Sequence, residues 1–385
     1  MTVPHTLYVD IVNRAVAESL IDAVAKDLTD SAVSPVDGTF GVAATESSPE
    51  LGLTKLELSG VLTAASTVPG PAQGLTKALG LLEAKSRALY QGWTPEFHLE
   101  DDEGVYTSPH VKAIFDRVPE PLGALNVAPD IGTGGWNPPG HPRVGIADTL
   151  VYRHPVLAGH VVGDSTATFT DASPGHATFV AGIIRRQAPD ALLVCHPVLG
   201  PGRHDAWSVA KSLLAFLDDD IDILNMSFGQ ITENSATPLR RALDRIGKRA
   251  VLVASGGNFG GVQATLYPAK FPDVVAVGSG TVTGDTFELA TSTPNASWLD
   301  LVTQGENVVG PFLPGEVHFT EPERATKIYD ALQPYARWSG SSFAAAYVSG
   351  ELARRMAEHQ ISAFDALDQL LNGQAADIAP YRRLR

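Results

Sequence analysis

A chain of 385 residues with 44% hydrophobic content can form one large domain and a smaller one, and it is too apolar to remain unfolded. Its 28 basic residues against 43 acidic ones leave a formal charge of −15, the wrong sign for a nucleic acid or an anionic membrane surface, both of which need basic partners. One cysteine excludes an intrachain disulfide, no apolar run reaches the roughly 18 residues of a membrane span, and "MTVPHTLYVDIVNRAV" lacks the basic start and long apolar core of a secretory signal, so a cytoplasmic location is the default expectation.

Residues 1–100 read as a small α+β unit. "TLYVDIV" is strand-like, and "NRAVAESLIDAVAKDL" has helical spacing with Asn13 as a candidate cap. "GTFGVAAT" and "KLELSGVL" are further strands, and "GLTKALGLLEAKSRALYQG" is a second helix with Gly92 placed to close it. Residues 101–142 read as a linker: acidic and mixed at first, then rich in Pro and Gly in "VPEPLGALNVAPDIGTGGWNPPGHP". From 143 to 385 the texture changes. Short continuous apolar runs recur: "RVGIADT", "DALLVCHPVL" (which carries Cys195 as an inert, buried thiol), "DIDILNMSF", "RAVLVASGG", "DVVAVGSG" and "LDLVTQG". Continuous rather than alternating runs mean burial on both faces, hence parallel strands. With "HATFVAGIIRRQ", "WSVAKSLLAFLDD" and "PLRRALDRIGK" between them, the pattern predicts an α/β fold: a doubly wound, mainly parallel sheet beside the smaller α+β unit.

In such sheets the working residues gather beyond the carboxyl ends of the strands. Four polar residues fall there: Asp148, His176 at a helix start, Asn258 among glycines, and Ser342 opening the last large helix. Each alone has an ordinary structural reading, as a turn aspartate, a helix-terminal histidine, a turn asparagine and a helix cap. Together, in the order Asp, His, Ser, they make the three parts of an acyl-transfer relay with an amide donor beside it.

Five stretches over 143 to about 370 are similar to those of the subtilisin-like serine proteases, the subtilases: "VGIADT", "GHATFVAGII", "ILNMSFG", "VLVASGGNFG" followed by "YPAKFPDVVAVGS", and "SGSSFAAAYVSG". "HPVLAGHV" and "SWLDLVTQG" fit the same register; residues 1–140 are outside the resemblance. The resemblance implies a serine endopeptidase working through an acyl-enzyme. Ser342 would be the nucleophile, His176 the base, Asp148 its orienting carboxylate, and Asn258 with the Ser342 N–H the oxyanion donors. It implies an extended peptide or protein substrate pairing along Ser227, Phe228 and Gly229, with Ser255, Gly256 and Gly257 as the second wall of the primary pocket, kept open by glycine. Phe259 hints at an apolar rather than a basic preference, and Tyr267–Pro268 is a candidate cis peptide bond. No cofactor is required, and calcium is left unassigned. Residues 1–100 would be a prodomain that blocks the cleft or a retained accessory domain that docks a partner. The match departs at Leu150, Ala177, Phe179 (family His), Ser341, Phe343 (family Met), Ala346 and Tyr347, which marks a divergent branch. A catalytically weak or inactive peptide-binding relative, or acyl transfer to an amine, are the alternatives.

Overall fold

In the computed structural model, the described residues are 5–30, 40–60, 71–91, 93–99, 118–122, 141–166, 169, 173–200, 204–232, 234–262, 264–283, 286–319, 325–372 and 382–383. Gly92, and the sequence-read linker apart from 118–122 and 141–142, lie outside them. Among the described residues, no helix is long and apolar enough to cross a membrane.

The chain divides into two units. The first gathers Met1–Gly104 with two later stretches, Asp205–Ala210 and Thr232–Ala242. It holds β1 (His5–Asp10), α1 (Arg14–Asp30), β2 (Gly41–Ser48), β3 (Leu53–Ser59), α2 (Pro71–Leu89) and β4 (Phe97–Leu99), in an antiparallel sheet ordered β2-β3-β1-β4. Leu7 and Val9 of β1 and Leu56 and Leu58 of β3 point to one face, where Leu20, Ile21 and Val24 of α1 and Leu82 of α2 cover them. The later stretches close the unit: Tyr8 stacks on Trp207 at 5.7 Å between centroids, Lys55 pairs with Asp205 at 2.9 Å, and Arg241 with Asp10 at 2.6 Å.

The second unit begins with β5 (Glu120–Pro121), β6 (Arg143–Asp148) and β7 (Val161–Val162). There follow α3 (Ser173–Gln187), β8 (Leu192–Pro197), α4 (Ala206–Leu213, its residues up to Ala210 in the first unit), β9 (Ile223–Met226), β10 (Gln230–Ile231), α5 (Thr237–Ile246, its residues up to Ala242 in the first unit), β11 (Val251–Ser255), β12 (Leu266–Tyr267), β13 (Val274–Thr283), β14 (Thr286–Leu289), β15 (Leu301–Gln304), β16 (Val308–Pro311), β17 (Gly315–Phe319), β18 (Ala325–Tyr329), β19 (Tyr335–Trp338), α6 (Ser341–His359), α7 (Ala363–Asn372) and β20 (Arg382–Arg383). The main sheet runs β20-β15-β13-β11-β9-β6-β8-β7, parallel except at β20 and at β14, which folds back on β13. β6 is flanked on both sides, by β9 and β8, so all but its first residue are buried, as its unbroken apolar run requires. After β6 the chain moves to β8 on one side and then to β9 on the other, so the order reverses at β6, where a doubly wound sheet opens its crevice. Cys195 of β8 is buried, and burial pushes its thiol well above the usual range, in keeping with an inert core residue.

The small residues of α6 let it pass close to α3. A Cβ on Gly350 would sit 2.5 Å from Gln187 Cβ and 3.1 Å from the Ile184 carbonyl oxygen. Within the stretch read as a linker, β5 pairs with β19, Val118 enters the main core, and the Tyr329 hydroxyl donates to the Pro119 carbonyl at 2.7 Å. The Tyr267–Pro268 bond is cis.

Candidate active site

Asp148 ends β6, and its carbonyl is held there by the Val198 and Leu199 N–H groups at 2.9 and 3.1 Å. Its carboxylate Oδ1 accepts the Thr149 N–H at 2.6 Å, and its two oxygens accept from His176 Nδ1 at 2.9 and 3.0 Å. Both side chains are 0% exposed. A carboxylate on Nδ1 keeps the proton there and leaves Nε2 as the basic nitrogen. That Nε2 is buried and makes no hydrogen bond among the described residues. Aromatic rings box the imidazole: Trp338 meets it edge-on at 5.6 Å and Phe343 lies tilted at 5.8 Å, while Phe179 packs on Phe343 at 4.6 Å and on Trp338 at 5.7 Å. Two departures from the family pattern, Phe179 and Phe343, are therefore partners of one another.

Ser342 is the second residue of α6 and is buried. Its hydroxyl donates to the Ser227 carbonyl at 3.3 Å, and the Ser227 hydroxyl donates back to the Ser342 carbonyl at 2.9 Å. The ladder continues inward. Asn225 Nδ2 donates to Ser227 Oγ at 2.9 Å, and the Ser349 hydroxyl donates to Asn225 Oδ1 at 3.0 Å. Every member is buried, and each bond satisfies a group that would otherwise be costly there. This ladder fixes the start of α6 against the carboxyl end of β9.

The corner before Ser342 is stitched to the end of β11. The Ser341 N–H donates to Asn258 Oδ1 at 2.8 Å, and the Gly257 N–H donates to Ser341 Oγ at 3.1 Å. With Oδ1 engaged, the Asn258 amide is oriented and Nδ2 remains as the donor. A Cβ on Gly340 would come within 3.4 Å of that Nδ2, so glycine keeps the space before the donor clear.

The two stretches read as pocket walls lie side by side, with the Ser255 hydroxyl 3.5 Å from the Phe228 carbonyl it donates to. The glycines were expected to hold the slot open. Side chains pack on two of these glycines: a Cβ on Gly229 would fall 2.5 Å from Leu266 Cδ1, and one on Gly257 would fall 2.4 Å from Phe259 Cε1. Gly256 faces away, toward Leu299 and the Val277 carbonyl.

The structure thus brings Asp148 and His176 together, places Ser342 beside Ser227, and sets Asn258 against the Ser341 backbone. The sequence reading missed four residues. Asn225 carried a signal, being an amide inside a buried apolar strand. Ser349, Leu266 and Trp338 carried none, because nothing local distinguishes them from ordinary core positions.

A model of the subtilase family matches residues 141–382. The major intracellular serine protease of Bacillus subtilis (strain 168) is 29% identical over 238 residues, 55% of this chain and 67% of that protein. Subtilisin BL of Lederbergia lenta is 28% identical over 226 residues, 55% of this chain and 74% of the relative. Fervidolysin from Fervidobacterium pennivorans, a keratinolytic enzyme related to subtilisin, superposes with a TM-score of 0.59 at 17% identity, covering 97% of this chain and 58% of that one. The epidermin leader peptide processing serine protease of Staphylococcus aureus superposes with a TM-score of 0.56 at 14% identity, covering 96% of this chain and 93% of the other. At these identities the structural likeness is one of fold.

Proposed function

The chain belongs to the subtilase family of serine proteases, and on that premise we propose that it is an endopeptidase in which Asp148, His176 and Ser342 form the catalytic relay. The observation that carries the reading is the fully buried His176–Asp148 pair, whose geometry leaves Nε2 as a base with no competing hydrogen bond. Ser342, at the N-terminus of α6, turns about its Cα–Cβ bond from the Ser227 carbonyl toward Nε2, a contact that commonly tightens only with substrate bound. Nε2 takes the hydroxyl proton as Oγ attacks the peptide carbonyl. Asp148 stabilises the imidazolium, and Asn258 Nδ2 with the Ser342 N–H holds the oxyanion. The proton passes to the leaving amine, the C–N bond breaks, and an ester on Ser342 remains. Water, deprotonated by His176, then cleaves that ester and restores the hydroxyl. The cycle uses only groups of this protein and water, so the proposal needs no cofactor. The substrate is a peptide or protein laid along Ser227–Gly229, and the site of action is the cytoplasm, a reading supported by the likeness to an intracellular relative.

A serine-directed fluorophosphonate tests the assignment. Wild type, Ser339→Ala and Ser341→Ala should label, and Ser342→Ala should stay folded and unlabelled. Labelling that survives in Ser342→Ala removes Ser342 as nucleophile. No labelling of folded wild type would make the protein a peptide-binding module, and ligated rather than hydrolysed products in mass spectra would make it a transferase.

A further inference from the structure

Two side chains pack on glycines of the stretches read as the walls of the primary pocket. In the proposed mode, an extended peptide runs along Ser227–Gly229 and sends the side chain before the scissile bond between that wall and Ser255–Gly257. Gly229 and Gly257 lack a Cβ, which in an empty slot would leave depth for a large side chain. Here Leu266 leans on Gly229 and the Phe259 ring leans on Gly257, each nearer than a Cβ could tolerate. Both are 6% exposed, so they are packed into the protein rather than hanging at its surface.

Leu266 is also held in place. β12 pairs antiparallel with β10, setting Leu266 opposite Ile231 and Tyr267 opposite Gln230, so the strand that leaves the first wall is bonded to the strand that carries the floor. The Leu266 carbonyl accepts the Lys270 N–H at 2.9 Å, and the Tyr267 ring packs on Phe271 at 4.7 Å. Shifting the Leu266 backbone would break a strand pair. The walls and floor carry no charge, so a buried Lys, Arg, Asp or Glu would find no partner.

We infer that this enzyme cleaves after small residues, Gly, Ala or Ser, and that Leu266, with Phe259 beside it, sets the size limit. The inference rests on the reading of Ser342 as nucleophile and of these two stretches as the pocket walls. A single methylene in such a pocket changes selection by roughly 10–200-fold, so a whole leucine side chain is ample to exclude an aromatic one.

The test is a positional peptide library, read by mass spectrometry, with the fluorophosphonate label reporting the state of Ser342 in every sample. Labelled wild type should cut after Gly, Ala or Ser. The ratio of kcat/KM for Phe over Ala at that position should rise at least about 10-fold in Leu266→Gly or Phe259→Ala, whichever melts as a folded protein. Labelled wild type that prefers a large or charged residue overturns the inference and leaves the nucleophile reading standing. So does an unchanged ratio in the folded variants. Failure of wild type to label overturns both.

Discussion

His154 shows how one side chain ties structure to pH. It is buried, its Nε2 donates to the Pro334 carbonyl at 3.3 Å, and its Nδ1 accepts the Val156 N–H at 3.3 Å, capping a short turn. Only the neutral ring can do both, since protonation would turn the acceptor into a second donor. Burial pushes its pKa down to about 4, with the Pro334 bond opposing more weakly. The unfolded chain holds the proton up to about pH 6.5, so between 6.5 and 4 it binds more protons than the folded one and stability falls as pH falls. Complete loss corresponds to roughly 3 kcal/mol. Urea unfolding at pH 7 and 4.5 should show wild type losing roughly 2–3 kcal/mol more than His154→Gln; equal acid sensitivity would mean that His154 does not titrate as argued. Asn258→Ala should lower kcat by roughly 10²–10³ with little change in KM, because the donor acts on charge that exists only in the transition state. A raised KM at unchanged kcat would make it a ground-state contact. The four candidate catalytic residues were legible in the sequence because a parallel sheet tells where strand ends go. What surrounds them was not. The Trp338 ring reaches His176, and Leu266 reaches Gly229, across distances in the chain that no local pattern encodes.

The elements divide along the same physical line. Six continuous apolar runs became the parallel strands β6, β8, β9, β11, β13 and β15, because burial on both faces writes itself into every residue of the run. The β17–β18 hairpin left no such trace. β17, "GEVHF", buries only Val317 and Phe319, and β18, "ATKIY", buries only Tyr329, with the rest of both strands partly or fully exposed. β5 is less visible still: two residues in a Pro-rich stretch, held only by pairing with β19. The small-residue run of α6 was readable as close packing, and its tightest point makes a sharp test. Gly350→Ala would place a methyl 2.5 Å from Gln187 Cβ, an atom fixed to the α3 backbone and unable to swing aside. Such overpacking typically costs about 1–3 kcal/mol. Denaturant unfolding should show a loss in that range; an unchanged or raised midpoint would mean that α3 and α6 separate freely.

At the scale of the whole molecule the question is whether residues 1–100 leave the enzyme. The unit they build is completed by Asp205–Ala210 and Thr232–Ala242, so it is not a bead on a string that one cut sets free. Tyr8 and Trp207 bury each other, both at 2% exposure or less, and release would put these two rings in water. A retained accessory domain is therefore the expected outcome. Purified wild type and Ser342→Ala should both show the intact mass of the full chain. Removal of residues 1–100 should change substrate choice, read in the same peptide library. The second unit adds a constraint on the opposite result. Val118 lies in its core, the Leu122 N–H donates to the Tyr335 carbonyl at 3.2 Å, and β5 is bonded into β19, whose last residue, Trp338, packs on the imidazole of His176. A cut beyond residue 122 would strip that strand away from the catalytic side. Self-processing that releases the unit and keeps Val118 and β5 in place falls between residues 100 and 117. A wild-type product with its new N-terminus in that window, absent from Ser342→Ala, would show that the unit is a prodomain and overturn the expectation of retention.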